Sequence, residues 1–276
     1  MMQTSRKPLF HLLCALSVPC LVTPSLASIY PIIEGFFRWD MLSGFMLINI
    51  GLTIGTLTLA KVCDMYNWKI FIATYCYMLI LFACNFLLAN FALTQCDPTS
   101  LASIAIHSFV NAGLVEELFK LICWLPWVAV GRKQDEENFL VWIAALSGLY
   151  FGVFENFTMV VILGAVSFDG RDVFVTAFAE SIFVAVAYIR FIWGPLIHIS
   201  LAVIGNSIFT MLMKRQGVFI AYIWVLIIPA ALHGLYDFVL YNSNHTEGAE
   251  WCIHLAPSVA MIIILVSLGL VIRAGY

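Results

Sequence analysis

The chain has 276 residues, of which 63% are hydrophobic and 11% charged, with a mean hydropathy of +0.99. Soluble domains run about 45–50% apolar and about 25% charged, so this composition excludes one and points to a polytopic membrane protein. The net charge of −3 and the absence of a basic cluster exclude nucleic acid as a partner and leave the lipid bilayer as the surroundings.

In chain order, Arg6 and Lys7 precede the apolar stretch Leu9 to Val22, which ends in Thr23-Pro24-Ser25-Leu26-Ala27. A charged start, an apolar middle and a small-x-small ending fit a cleavable signal peptide over 1–27. They fit a first transmembrane helix equally well. Apolar spans follow at 42–62, 70–92, 101–130 and 139–164. Each reaches the ~20 residues that cross ~30 Å of hydrocarbon. Residues 173–213 are ambiguous, because two crossings would need nearly all of them, yet Glu180 and Arg190 interrupt the first part. Spans at 217–241 and 253–273 complete the chain.

The positive-inside rule decides the ambiguous stretch. With the N-terminus inside, and 173–190 lying as an interfacial or re-entrant helix that does not cross, Lys61, Lys69, Arg132, Lys133, Lys214, Arg215 and Arg273 all fall on the inner side with Arg6 and Lys7. The expected fold is therefore an all-α, polytopic transmembrane helix bundle of about eight spans, or seven if residues 1–27 are removed. Residues 28–276 form one membrane domain. Both termini are cytoplasmic, the N-terminus lying outside instead if 1–27 are cleaved. The eight Cys form no metal-binding spacing; Cys96 and Cys252 are the loop pair suited to a disulfide. Asn244-His245-Thr246 is an outer-side glycosylation sequon.

Four spans carry polar groups that a bilayer should exclude. The first holds Glu116-Glu117-Leu118-Phe119-Lys120. Each such charge costs at least about 2.5–3.5 kcal/mol near a bilayer centre and marks a functional site by default. Glu116 and Lys120, at i, i+4, are spaced to pair on one helix face, which leaves Glu117 without an assigned role. The second span reads Phe151 to Glu155-Asn156, the third carries His198 after Gly194-Pro195, and the fourth places His233 and Asp237 at i, i+4.

Counted from the inner end of each span, Glu116, Glu155, His198 and His233 all lie about 22–24 Å deep, given 1.5 Å per residue. Flanking small residues (Gly113, Gly148, Gly152, Gly194, Gly205, Gly234) would let the helices approach closely. One polar pocket in the outer half of the membrane is the expected result, opening outward. Carboxylates with two His supply a general base, a general acid and oxyanion donors. No intramembrane Ser or Cys stands beside a base, so the chemistry expected is attack by water. Zn²⁺ on the His and carboxylates is the alternative, weakened by the lack of HExxH.

These residues resemble the PrsW family of intramembrane proteases, relatives of the type II CAAX prenyl endopeptidases. The family pattern is E-E-x-x-K, F-x-x-x-E-N, an isolated His, then H-x-x-x-D. It is met here over 101–241 by Glu116 to Lys120, Phe151 to Asn156, His198, and His233 to Asp237. The resemblance implies a glutamate-dependent endopeptidase with catalytic Glu116, Glu117, Glu155, His198 and His233. Lys120, Asn156 and Asp237 would support them, with no obligatory cofactor. It implies a transmembrane or juxtamembrane protein as substrate. Glu155 stands where the CAAX-processing relatives carry a His, which speaks against prenylated substrates. Two other readings suit the same residues: a proton-coupled transporter, disfavoured by the lack of an inverted repeat, and a non-catalytic membrane scaffold.

Overall fold

The structure, a computed structural model, describes residues 68–93, 100–134, 137–168, 177–245 and 252–274. Among these every element is helical. In order they are α1 (Trp68–Leu93), α2 (Leu101–Ile106), a π-helical segment (His107–Val115), α3 (Glu116–Gln134), α4 (Glu137–Phe168), α5 (Ala177–Gln216), α6 (Val218–His245) and α7 (Cys252–Ala274). The N-terminal span or signal peptide, the span at 42–62 and Cys96 lie outside the described residues, as does the side chain of Cys252.

Phe139–Asn156 in α4, Trp193–Met213 in α5 and Val218–Asn242 in α6 are long and apolar enough to cross a membrane. Ile72–Asn85 and Leu255–Leu270 are shorter apolar stretches of α1 and α7. Burial sorts the three long ones. The α4 stretch is 89% buried and that of α5 78%, whereas only 33% of the α6 stretch is buried. These stretches of α4 and α5 are thus encased by protein. Helix α6 shows lipid an apolar face that includes Ile223, Ile227 and Leu235. The core is built on α4 (Val141, Ile143, Ala144, Leu146, Leu149, Phe151) and α5 (Ile197, Ile199, Leu201, Val203, Ile204, Phe209).

Two observed features differ from the sequence expectation. Residues 177–190 do not form a separate interfacial or re-entrant helix; they are the first part of α5, a single 40-residue helix. At 1.5 Å per residue α5 is about 60 Å long, roughly twice the ~30 Å hydrocarbon thickness. Glu180 and Arg190 made this part look like a break, but a charged residue does not by itself interrupt a helix. The second feature is the π-helical segment, nine residues with i→i+5 hydrogen bonds that run directly into Glu116. Such segments are rare and concentrate at functional sites, where they re-aim the side chains that follow.

Glycines set the helix spacing around the polar residues. A Cβ on Gly148 of α4 would lie 2.3 Å from the carbonyl oxygen of His198, and one on Gly152 would lie 2.7 Å from Cα of Pro195. Backbone meets backbone there, and no side chain can yield. On the other flank, a Cβ on Gly113 would lie 2.5 Å from the Ala230 carbonyl, and one on Gly234 would meet the Phe109 ring at 2.5 Å. Gly148→Ala must therefore separate α4 from α5 by on the order of 1 Å, a strain of about 1–3 kcal/mol. That outweighs the ~1 kcal/mol that Ala gains over Gly in a helix. Gly194→Ala is the control, because its nearest neighbour is Asn156 Oδ1 at an ordinary 3.8 Å. Thermal unfolding in detergent should show a lower Tm for Gly148→Ala and not for Gly194→Ala; equal Tm values would contradict this packing.

Candidate active site

The four polar spans meet. Lys120 Nζ forms an ion pair with Glu117 Oε1 one turn away on α3. It also lies 2.9 Å from His198 Nδ1 on α5. An ammonium can only donate, so Nδ1 of His198 is the acceptor and its Nε2 carries the hydrogen. Nε2 then donates to Glu155 Oε2 of α4 at 2.9 Å. On the other side, His233 Nδ1 of α6 donates to Glu117 Oε1 at 2.8 Å. That bond turns His233 Nε2 towards Glu116 Oε2, 3.7 Å away, and Asp237 Oδ2, 3.6 Å away. The two imidazoles pack edge to face with centroids 5.0 Å apart. The result is a continuous chain of polar contacts, Glu155–His198–Lys120–Glu117–His233–Glu116 and Asp237, across α3, α4, α5 and α6.

The group is secluded. Lys120 is 1% exposed, His198 and His233 2%, Glu117 4% and Asp237 0%. Glu155, with 15% of its side chain exposed, is the most open member. Charges this deep persist only when paired, and here each cation or His has an acidic neighbour. Asn156 is buried with its Oδ1 towards Gly194, at the α4–α5 contact.

All eight residues singled out from sequence thus lie in or beside one site. The pairing within α3 differs from expectation: Lys120 bonds to Glu117, at i, i+3, rather than forming the expected i, i+4 pair with Glu116. Both spacings make helix neighbours. The choice falls to Glu117 because His233 donates to the same carboxylate oxygen, so one acid serves both helices. Phe151 had no role assigned from sequence. It is fully buried with its ring 5.3 Å from Lys120 Nζ and 5.1 Å from the His198 ring. Its face therefore supports the ammonium that orients His198. The signal available in the sequence was its place one turn before Glu155, on the same helix face.

Part of the donor set has the make-up of a divalent metal site. Glu116, His198 and His233 offer ligand atoms that all lie within 4.8 Å of one another. Two His and one carboxylate are a common set for catalytic zinc. Tetrahedral ligands at ~2.0–2.1 Å stand about 3.3–3.4 Å apart, close to the 3.7 Å between Glu116 Oε2 and His233 Nε2. The Glu117–His233 bond is the carboxylate–histidine contact that fixes a metal ligand's ring and tautomer. Both Asp237 carboxylate oxygens are buried without a hydrogen-bond partner, and one of them faces His233 Nε2. These residues fit a metal. One feature pulls the other way: both nitrogens of His198 already have partners, Lys120 and Glu155.

Over residues 64–268 the chain matches a family described as PrsW family intramembrane metalloprotease. No curated protein matches the chain, and no solved structure matches it.

Proposed function

Because the chain belongs to the PrsW family of intramembrane metalloproteases, we propose that it hydrolyses a peptide bond of a transmembrane or juxtamembrane protein at the Glu116–His233 site. The observation that carries this reading is the position of His233. Its Nδ1–H is held by Glu117, so Nε2 faces Glu116 and Asp237. In this reading Glu116 takes the proton of the attacking water. His233 Nε2, 3.7 Å away, receives it and passes it to the leaving amine. His198 donates its Nε2–H to Glu155 and accepts from Lys120 at Nδ1, which fixes its ring against that of His233. Lys120 and Glu117 keep the two imidazoles in complementary tautomers and take no part in bond making. Asn156 and Asp237 orient their neighbours. The site sits in the outer half of the membrane, with both termini on the inner side, in a bundle of about eight spans.

Glu116, His198 and His233 are the residues that would hold a metal. A bound divalent ion would polarise the scissile carbonyl and lower the pKa of water. The metal-bound site is the second reading; the proton path above is glutamate-activated water without a metal, and the two occupied nitrogens of His198 favour it. Chelation separates the two. In detergent, the purified protein should cut members of a library of single-span substrates. Under the metal reading, activity should fall to background on exhaustive chelation and return with zinc. Full activity in the metal-free protein would establish the glutamate mechanism. A wild type that cuts nothing that Glu116→Gln spares would overturn the protease reading itself. The orientation is checked by labelling Asn242→Cys with an impermeant outside reagent, where protection would reverse it.

A further inference from the structure

A small cleft of about 10 Å³ lies next to the site, lined by Glu117, Lys120, Trp124, Gly205, Val225 and Pro229 among others. That is about the room one water molecule needs. It belongs to none of the steps above, since it lies on the side of Glu117 and Lys120 that faces Trp124, one turn further along α3. Its polar groups have unmet capacity. The Lys120 ammonium has three N–H donors, and Glu117 and His198 take two of them. Both protein hydrogen bonds of Glu117 fall on Oε1, which leaves Oε2 available to the cleft that Glu117 lines.

The third partner comes from a proline. Pro229 stands inside α6 and has no N–H, so the Val225 carbonyl loses its helical donor. That carbonyl faces the cleft: a Cβ on Gly205 would lie 3.5 Å from its oxygen and 3.5 Å from Pro229 Cγ. One donor and two acceptors around a water-sized space match the roughly three hydrogen bonds of a typical buried water. An unmet N–H on a buried ammonium would be costly, and an adjacent ammonium repels any cation.

We propose that this cleft is a water-binding site, in which one water bridges Lys120 Nζ to Glu117 Oε2 and the Val225 carbonyl. The water fixes the Lys120 side chain, so Lys120 keeps His198 in the tautomer that donates to Glu155. The residues of the cleft are positioning residues.

Radiolytic labelling in H₂¹⁸O tests this on the full-length protein, because hydroxyl radicals formed at a bound water oxidise the side chains beside it. Trp124 is 2% exposed and Trp142, outside the cleft, is 5% exposed. Trp124 should incorporate ¹⁸O at least tenfold faster than Trp142. Gly205→Ala adds a methyl at ordinary contact distances, so it fills the space without a clash. It should reduce Trp124 labelling to the rate of Trp142. Pro229→Ala restores the N–H to Val225, removes one acceptor and should also reduce labelling. Equal labelling of Trp124 and Trp142 in the wild type, or unchanged Trp124 labelling in Gly205→Ala, would overturn the proposal. Both readouts stand whether or not the protein cuts a substrate.

Discussion

Glu117→Gln should destabilise the protein by about 3–5 kcal/mol, whereas Glu116→Gln should change stability by less than about 1 kcal/mol. Lys120 is 1% exposed and its ionic partner is Glu117. Removing one member of a buried pair leaves the other charge uncompensated, and that is the costly outcome. Gln keeps an acceptor oxygen for Lys120 and His233, so the loss reports the charge and not the shape. The second arm is Lys120→Met, which removes the cation and keeps most of the apolar stem beside Phe151. The double variant Glu117→Gln/Lys120→Met should be more stable than Glu117→Gln alone, because neither charge is then left single. A double-mutant cycle from denaturant unfolding in detergent reads this coupling directly. If Glu116→Gln costs as much as Glu117→Gln, the division between the two acids is wrong.

Glu116→Gln should lower kcat by about 10²–10⁴, the range expected for loss of a positioned general base. The fold should persist, so the same preparation can be shown to have wild-type unfolding. The reason is placement. Glu116 Oε2 faces His233 Nε2 at 3.7 Å, while Glu117 is engaged by both Lys120 and His233. Metal analysis on the same variant adds a second readout. If Glu116 is a metal ligand, the variant loses bound metal along with activity. If it acts on water alone, wild type and variant hold equally little metal and differ in rate. A variant with near wild-type kcat removes Glu116 from the chemistry under either mechanism.

Much of the site was legible in the sequence because a bilayer makes polar residues expensive. A Glu or His within an apolar run stands out, and rise per residue converts its position into depth. Glu116, Glu155, His198 and His233 came out at one level, and their side chains meet in the structure. Element boundaries were legible for the same reason: the span expected at 217–241 is α6, Val218–His245, and that at 139–164 is α4, Glu137–Phe168. The extent of α5 was not legible. Charges signal the edge of hydrocarbon, not the end of a helix, and α5 continues through Glu180 and Arg190.

By itself the sequence determined a helical membrane chain with four polar stations, expected at a common depth, since hydropathy, helical rise and motif spacing are local properties. Only the tertiary structure decided how those stations divide their labour. Glu116 and Glu117 are adjacent, and both are within helical reach of Lys120, so no spacing rule separates them. The difference comes from other helices: His233 on α6 donates to Glu117, and His198 on α5 accepts from Lys120. The π-helical segment before Glu116 and the glycine contacts at His198 and Ala230 set the distances at which those partners arrive. A hydrogen bond needs its partner within a few tenths of an ångström, and that precision exists only once the helices have packed.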